Sequence, residues 1–270
     1  MKIGFVQFRP EFGNPAANVK TMTDMISSVE ADLLVLPELA TTGYTFTSKD
    51  EIRDMAEEFE TSESLGILQE VAAKQSCALV VGFGEKSGNK IFNSAALLRP
   101  DGSRALHRKN HLFGAEKKFF DLGDLPFAVH EYEGVSLAMI VCFDWYFPES
   151  IRVLALRGAQ IICQPANLVL KWCQRAMVIR SIENRVFTVT ANRYGFEKSG
   201  KYSFTFTGES QITSPEGEIL ISAPKEGDYI EVVEIDPNVA LDKNINRMNN
   251  LFEDRRPELY GDIAECDSRQ

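Results

Sequence analysis

The sequence predicts an α/β protein built as a four-layer α-β-β-α sandwich, and three observations lead there. Short apolar runs of strand type outnumber helical periods, tight turns alternate with long helical crossovers, and no linker, repeat or low-complexity tract breaks the pattern. Hairpins and crossovers together give mixed sheets, which bury their apolar faces against each other and under helices. The 270 residues, 44% of them hydrophobic, read as one domain over 1–270 with ample core.

The amino terminus through Phe8 reads as a first strand, its apolar run being too short for a signal peptide. Asn14-Pro15 then signals a helix start, and Val19, Met22, Ile26 and Val29 recur at helical spacing. Residues 33–36 form a continuous apolar strand of the kind buried on both faces. Helical periodicity returns over 50–76, with Leu65, Leu68 and Val71 on one face, before strands at 78–83 and 91–98. Pro100-Asp101-Gly102 turns 93–98 into 104–108 as a hairpin.

Residues 110–125 have no clean period, and a loop that long in a compact domain is usually functional. Strands follow at 127–132 and 135–141, joined by Glu133-Gly134, then a helix at 150–157 ended by Gly158 and a buried strand at 161–163. A helix over 172–186 places Trp172, Ala176, Ile179, Ile182 and Val186 on one stripe, read as core. Strands at 187–191, 209–213, 219–222 and 229–235 close the sheets. The tail, 236–270, is polar with isolated anchors at Leu251, Phe252, Leu259 and Tyr260, and is expected to pack on a neighbouring surface or partner subunit.

Composition excludes several function classes. A net charge of −10 gives no electrostatic footprint for nucleic acid or an anionic membrane, and no apolar run approaches a membrane span. Five scattered cysteines without CxxC pairs favour a reducing, cytoplasmic setting over a disulfide framework or a zinc ribbon. His107 and His111 lie beside a hairpin rather than on a helix, so no metal site is expected there.

Three polar residues stand where strands end. Cys142 follows 135–141 directly before the turn at Pro148, a strand-to-helix corner that exposes a side chain and converges free N–H groups, as a thiolate and its oxyanion require. A buried cysteine packing as a small hydrophobe is the ordinary alternative. Glu38 follows the buried strand 33–36, at the edge where α/β sheets bind ligands, although a solvated loop acid has the same local appearance. Lys109 closes the second hairpin arm, where a surface charge is commonplace.

Together Glu38, Lys109 and Cys142 resemble the Glu-Lys-Cys triad of the nitrilase superfamily of carbon-nitrogen hydrolases. The flanking words match as well: Leu36-Pro37-Glu38, His107-Arg108-Lys109-Asn110-His111-Leu112-Phe113 and Cys142-Phe143-Asp144-Trp145-Tyr146-Phe147-Pro148-Glu149. Further resemblance lies in Arg180-Ser181-Ile182-Glu183-Asn184-Arg185, Ala191-Asn192-Arg193 and Gly208-Glu209-Ser210-Gln211-Ile212. The stretch Gln164-Pro165-Ala166-Asn167-Leu168-Val169 with Trp145-Tyr146 is most similar to small archaeal nitrilase-like proteins.

The resemblance implies the family's sandwich, a homodimer or higher homo-oligomer that extends it to eight layers, and no cofactor or metal. It carries over a second acid to Glu116, with supporting roles for the Phe143 backbone N–H and for Asn167, and a substrate pocket of Tyr44, Trp145 and Tyr146. Many family amidases have arginine where Tyr146 stands, so a carboxylate clamp is not expected from that position.

The implied partner is a small amide, carbamoyl compound or nitrile, with no nucleic acid and no membrane. Glu38 would take the Cys142 proton, Lys109 and the Phe143 N–H would hold the oxyanion, and a thioester would form and hydrolyse. Four other readings stand beside amide hydrolysis: nitrile or carbamoyl-amine hydrolysis by the same triad, a papain-like pairing of Cys142 with His111 or His130, an inactive binding protein on the same fold, and acyl transfer to an amine.

Overall fold

The structure, a computed structural model, describes residues 1–265; Cys266 lies outside them. The chain runs β1 (Lys2–Gln7), α1 (Pro15–Ile26), β2 (Leu33–Val35), α2 (Lys49–Met55), α3 (Glu63–Gln75), β3 (Ala78–Ser87), β4 (Lys90–Leu98) and β5 (Arg104–Arg108). It continues through β6 (Val129–Tyr132), β7 (Val135–Met139), α4 (Pro148–Leu156), β8 (Ile161–Ala166), α5 (Cys173–Asn184) and β9 (Phe187–Asn192). The hairpin β10 (Tyr194–Ser199) and β11 (Tyr202–Thr207) precedes β12 (Gln211–Thr213), β13 (Ile219–Ser222) and β14 (Tyr229–Glu234).

Two six-stranded sheets result, ordered β14-β1-β2-β3-β4-β5 and β13-β12-β9-β8-β7-β6. In each, three central strands are parallel and the outer ones antiparallel. Strand alternation builds the layers: Ile3, Phe5, Leu33, Val35, Ala78 and Val80 point to the second sheet, while Val6, Leu34, Leu36, Leu79 and Val81 point to α1 and α3. The faces of β1, β2 and β3 lie against β8 and β9. This is the mixed sheet pair under helices that the sequence predicts.

Local signals hold up in several places. Asn14 caps α1 through its side chain, 3.3 Å from Ala17 N, and Pro15 occupies the first helical position. The β4–β5 hairpin pairs Ser94 with Arg108 and Leu98 with Arg104. Glu133 and Gly134 both take positive φ in the tight β6–β7 turn.

Three expectations need correction. The period over 50–76 is two helices, because Ala56 turns extended and Ser62 begins a fresh cap, its hydroxyl 2.9 Å from Leu65 N. The β10–β11 hairpin was not anticipated, although its Ser199-Gly200 turn and the alternating Tyr202, Phe204 and Phe206 are legible once seen.

The α5 stripe is real but faces outward. Trp172 is 57% exposed, Ile179 52% and Ile182 44%, while Cys173, Met177, Ser181 and Asn184 are buried; only Val186 and, in part, Ala176 pack as expected.

Candidate active site

The carboxyl ends of the parallel strands in both sheets converge on one small region, where α/β sheets place their ligands. Glu38 leaves β2 through Leu36-Pro37 and is fully buried. It lies close over Gly82 of β3: a Cβ there would come 2.4 Å from Pro37 O and 2.5 Å from Glu38 Cα, so a residue without a side chain is needed for the acid to sit where it does. Lys109 follows β5, its amide donating to Asn93 O at 2.8 Å. Glu116 rides on the short turn Gly114–Lys118 inside the loop 110–125.

These three groups form one ion cluster without solvent. Lys109 Nζ donates to Glu38 Oε1 at 2.6 Å and to Glu116 Oε1 at 2.9 Å. Burial would push the ammonium down, yet Glu116 and Glu38 together reverse that and hold it above the ordinary lysine range. Burial also pushes the Glu38 carboxyl up, against the pull of Lys109. Asn93 Nδ2 is a further donor to Glu38 Oε1, at 2.7 Å, which leaves Oε2 without a partner among the described residues.

Cys142 begins a 3₁₀ turn, Cys142–Tyr146, with φ +41, a strained value for a residue with a side chain. The first N–H groups of such a turn have no partner within it, and that of Phe143 is one of them. Burial, with Glu38 nearby, keeps the thiol protonated well above its ordinary range, while Lys109 and a main-chain hydrogen bond from Asn167 pull the other way. A resting thiol of that kind needs a base at the moment of attack.

Asp144 fixes the corner. Its carboxylate accepts from Val141 N at 2.9 Å, His111 N at 3.0 Å and His111 Nδ1 at 2.7 Å, with His107 Nε2 at 3.4 Å. It therefore ties the cysteine turn to the loop that carries Lys109. Both histidines thus bond to Asp144, and the His111 ring also stacks on Phe147 at 3.7 Å.

Burial alone would raise Asp144, but bonds from His107 and His111 bring it down to about 2. The folded carboxyl is thus a stronger acid than the unfolded one, and its contribution is present above the ordinary aspartate range and lost as pH falls toward 2. Asp144→Asn is expected to lower unfolding free energy by about 2–4 kcal/mol at neutral pH, read by urea titration, and to flatten the acid limb of stability.

The remaining expected site residues divide. Trp145, Asn167 and Phe143 line a cavity of about 20 Å³ at Cys142 with Phe113, Leu168 and Val169. Asn167 also donates Nδ2 to the Glu38 backbone carbonyl at 2.9 Å. Tyr44 sits one cavity away, its hydroxyl donating to Glu116 Oε1 at 2.6 Å. Tyr146 is half exposed and lies outside the cavity lining: three residues past Phe143, it sits one turn further along, its ring tilted against that of Phe143 at 5.5 Å.

Sequence reasoning missed Asn93 and Glu197, and held Arg193 only as part of the matching word Ala191-Asn192-Arg193, without a role. Glu197 Oε1 accepts from Tyr44 N at 2.9 Å, Thr45 N at 2.7 Å and Thr45 Oγ1 at 2.6 Å, and Oε2 meets Arg193 Nη1 at 2.6 Å. Arg193 is fully buried with its guanidinium 4.2 Å from the Phe206 ring centre. This pair holds the loop that presents Tyr44.

Residues 2–242 match the family model described as carbon-nitrogen hydrolase. The chain belongs to that family. The hydrolase is 41% identical over 263 residues to a nitrilase of Pyrococcus abyssi, covering 96% of this chain and 99% of that one. Among solved structures it is similar to a carbon-nitrogen hydrolase of Helicobacter pylori G27, with TM-score 0.89, 26% identity and 98% of each chain covered. It is also similar to a glutamate-to-glutamine mutant of the amidase from Nesterenkonia sp. AN1, which shows Michael addition of acrylamide at its active-site cysteine, with TM-score 0.79, 26% identity, and 97% of this chain and 99% of that one covered. The hydrolase thus shares its fold with thiol-dependent enzymes of this superfamily.

Proposed function

We propose that the enzyme hydrolyses a small linear amide through a thioester on Cys142. One observation carries this reading: Glu38 is buried with Oε1 fixed by Lys109 and Asn93 and Oε2 unpartnered, in a site that also holds the Cys142 thiol. Oε2 takes the thiol proton as sulfur bonds to the carbonyl carbon, and Lys109 with the Phe143 N–H stabilises the charge on oxygen. Glu38 returns the proton to nitrogen, ammonia leaves, and water activated by the same carboxylate cleaves the thioester to the acid and free thiol. Glu116 orients Lys109.

A nitrile is the second reading, favoured by the 41% identity to the Pyrococcus abyssi nitrilase. A nitrile first gives a thioimidate, which must take up water and expel ammonia before the thioester, whereas an amide needs one protonation of its leaving group. Ammonia release from matched amide and nitrile pairs, with carbamoyl amines alongside, decides between them. A higher kcat/KM for the nitrile across several pairs overturns the amide.

The acid limb of kcat/KM checks the base. Glu38 must be ionised in the free enzyme, and burial raises its pKa. Activity is therefore expected to fall with decreasing pH at values above the ordinary glutamate range; a limb at or below that range removes Glu38 from this role.

The outward stripe of α5 supports a homodimer, since Trp172, Ile179 and Ile182 leave an apolar face uncovered. Light scattering is expected to give twice the mass of the 270-residue chain, and a monomer at micromolar concentration contradicts it. Four unpaired cysteines among the described residues, and no helix there long and apolar enough to cross a membrane, fit the expected cytoplasmic setting.

A further inference from the structure

Two small cavities meet at Phe113. The one beside Cys142, about 20 Å³, has room for little more than a water molecule. The other, about 80 Å³, lies at Glu116 and Tyr44 and is walled by Phe46, Phe119, Phe120 and Phe204. Phe113 lines both.

The ring and backbone of Phe113 are held differently. The backbone N–H donates to Glu116 Oε2 at 3.0 Å, while the half-buried ring meets Phe143 edge-on at 5.1 Å. Gly114 follows with φ +52 and nothing within 4 Å of where a Cβ would stand. The side chain can therefore be truncated without losing the main-chain bond to Glu116.

The geometry points to Phe113 as the residue that sets the length of the acyl chain. With the ring in place, the Cys142 site takes only the shortest acyl groups. Without it, that site joins an apolar compartment suited to a linear, uncharged chain. Charge is disfavoured because the compartment walls are mostly phenyl rings, and its Tyr44 hydroxyl and Glu116 carboxylate are bonded to each other, with Glu116 also paired to Lys109. This rests on Cys142 being the acyl-accepting nucleophile, but not on whether an amide or a nitrile delivers the acyl group.

Aldehydes test it without turnover. The Cys142 S–H adds across the aldehyde C=O, sulfur bonding to carbon and the proton passing to oxygen, with nothing leaving. Acetaldehyde, butanal, hexanal and octanal are titrated as protectants of Cys142 against iodoacetamide, read by peptide mass spectrometry. In the wild type, affinity is expected to stop rising by butanal. In Phe113→Ala it is expected to keep rising by about fourfold per added methylene, the factor given by about 0.8 kcal/mol per buried CH₂.

Phe113→Leu, which keeps apolar bulk should the alanine variant fold poorly, is expected to move the cut-off in the same direction by less. Parallel chain-length profiles in the wild type and the folded variants overturn the assignment. Amide hydrolysis is assayed separately on the same proteins. Shifted aldehyde profiles without amide turnover sink the amide reading alone, and amide turnover with parallel profiles sinks this one alone.

Discussion

Cys142→Ala is expected to abolish turnover, with a loss on the order of 10⁶-fold in kcat, the scale seen when a covalent nucleophile is removed. The fold survives because the sulfur is the only atom lost, and the cavity it faces is about 20 Å³. The corner itself is held by Asp144 through Val141 N and His111, not by the sulfur. Ammonia release measures the rate, and mass spectrometry of the wild type with a slow substrate should place an adduct on Cys142. A raised thiol does not separate the cysteines, since burial pushes Cys142 up as well; Cys163 and Cys173 are poor candidates because both are fully buried and neither lines the cavity at Cys142. An adduct on either of them removes Cys142 from the mechanism.

Lys109→Gln is expected to cost both rate and stability. A neutral amide stabilises the oxyanion less than an ammonium, which by analogy with other oxyanion donors lowers kcat by about 10²-fold or more. It also leaves the Glu38 and Glu116 carboxylates buried without the cation between them, a loss of about 3–5 kcal/mol when one partner of a buried pair is removed.

The pH profile separates the two effects. Lys109 now holds the Glu38 carboxyl down against burial, so its removal moves the acid limb of kcat/KM upward. Measuring kcat at saturating substrate on protein shown to be folded by urea titration isolates the rate term. A near-normal kcat in folded Lys109→Gln places the oxyanion elsewhere.

The papain-like alternative fares poorly beside this geometry. His111 Nδ1 is 2.7 Å from Asp144 Oδ1 and its ring is stacked on Phe147, while His130 belongs to β6 at the edge of the second sheet. Glu38 is the buried carboxylate with an oxygen, Oε2, unpartnered among the described residues, and the cation on its other oxygen is Lys109.

How far the site was legible depended on how local each signal was. Glu38, Lys109 and Cys142 each follow a strand readable from a few residues, and a polar residue ending an apolar run stands out without knowledge of its neighbours. Asn93 gave no such signal, because it lies inside β4 among Phe92, Ser94 and Ala95 and reaches Glu38 only through the register of β3 with β4. Glu197 was equally mute: its importance is a hydrogen bond to Tyr44, more than 150 positions away in the chain.

By itself, then, the sequence determined most of the strand and helix succession, though not the β10–β11 hairpin or the break between α2 and α3, together with the mixed sheets and the three polar residues at strand ends. Tertiary structure alone decided which face of an element is buried. On α5 the apolar stripe predicts a buried face, yet Cys173, Met177, Ser181 and Asn184 are the ones inside, Ser181 Oγ lying 3.2 Å from Thr188 Oγ1 of β9. Periodicity reveals that a helix has two unlike faces, but which one turns inward depends on what surface the neighbouring strands offer. Here β9 offers hydroxyls, and Trp172, Ile179 and Ile182 are left facing out.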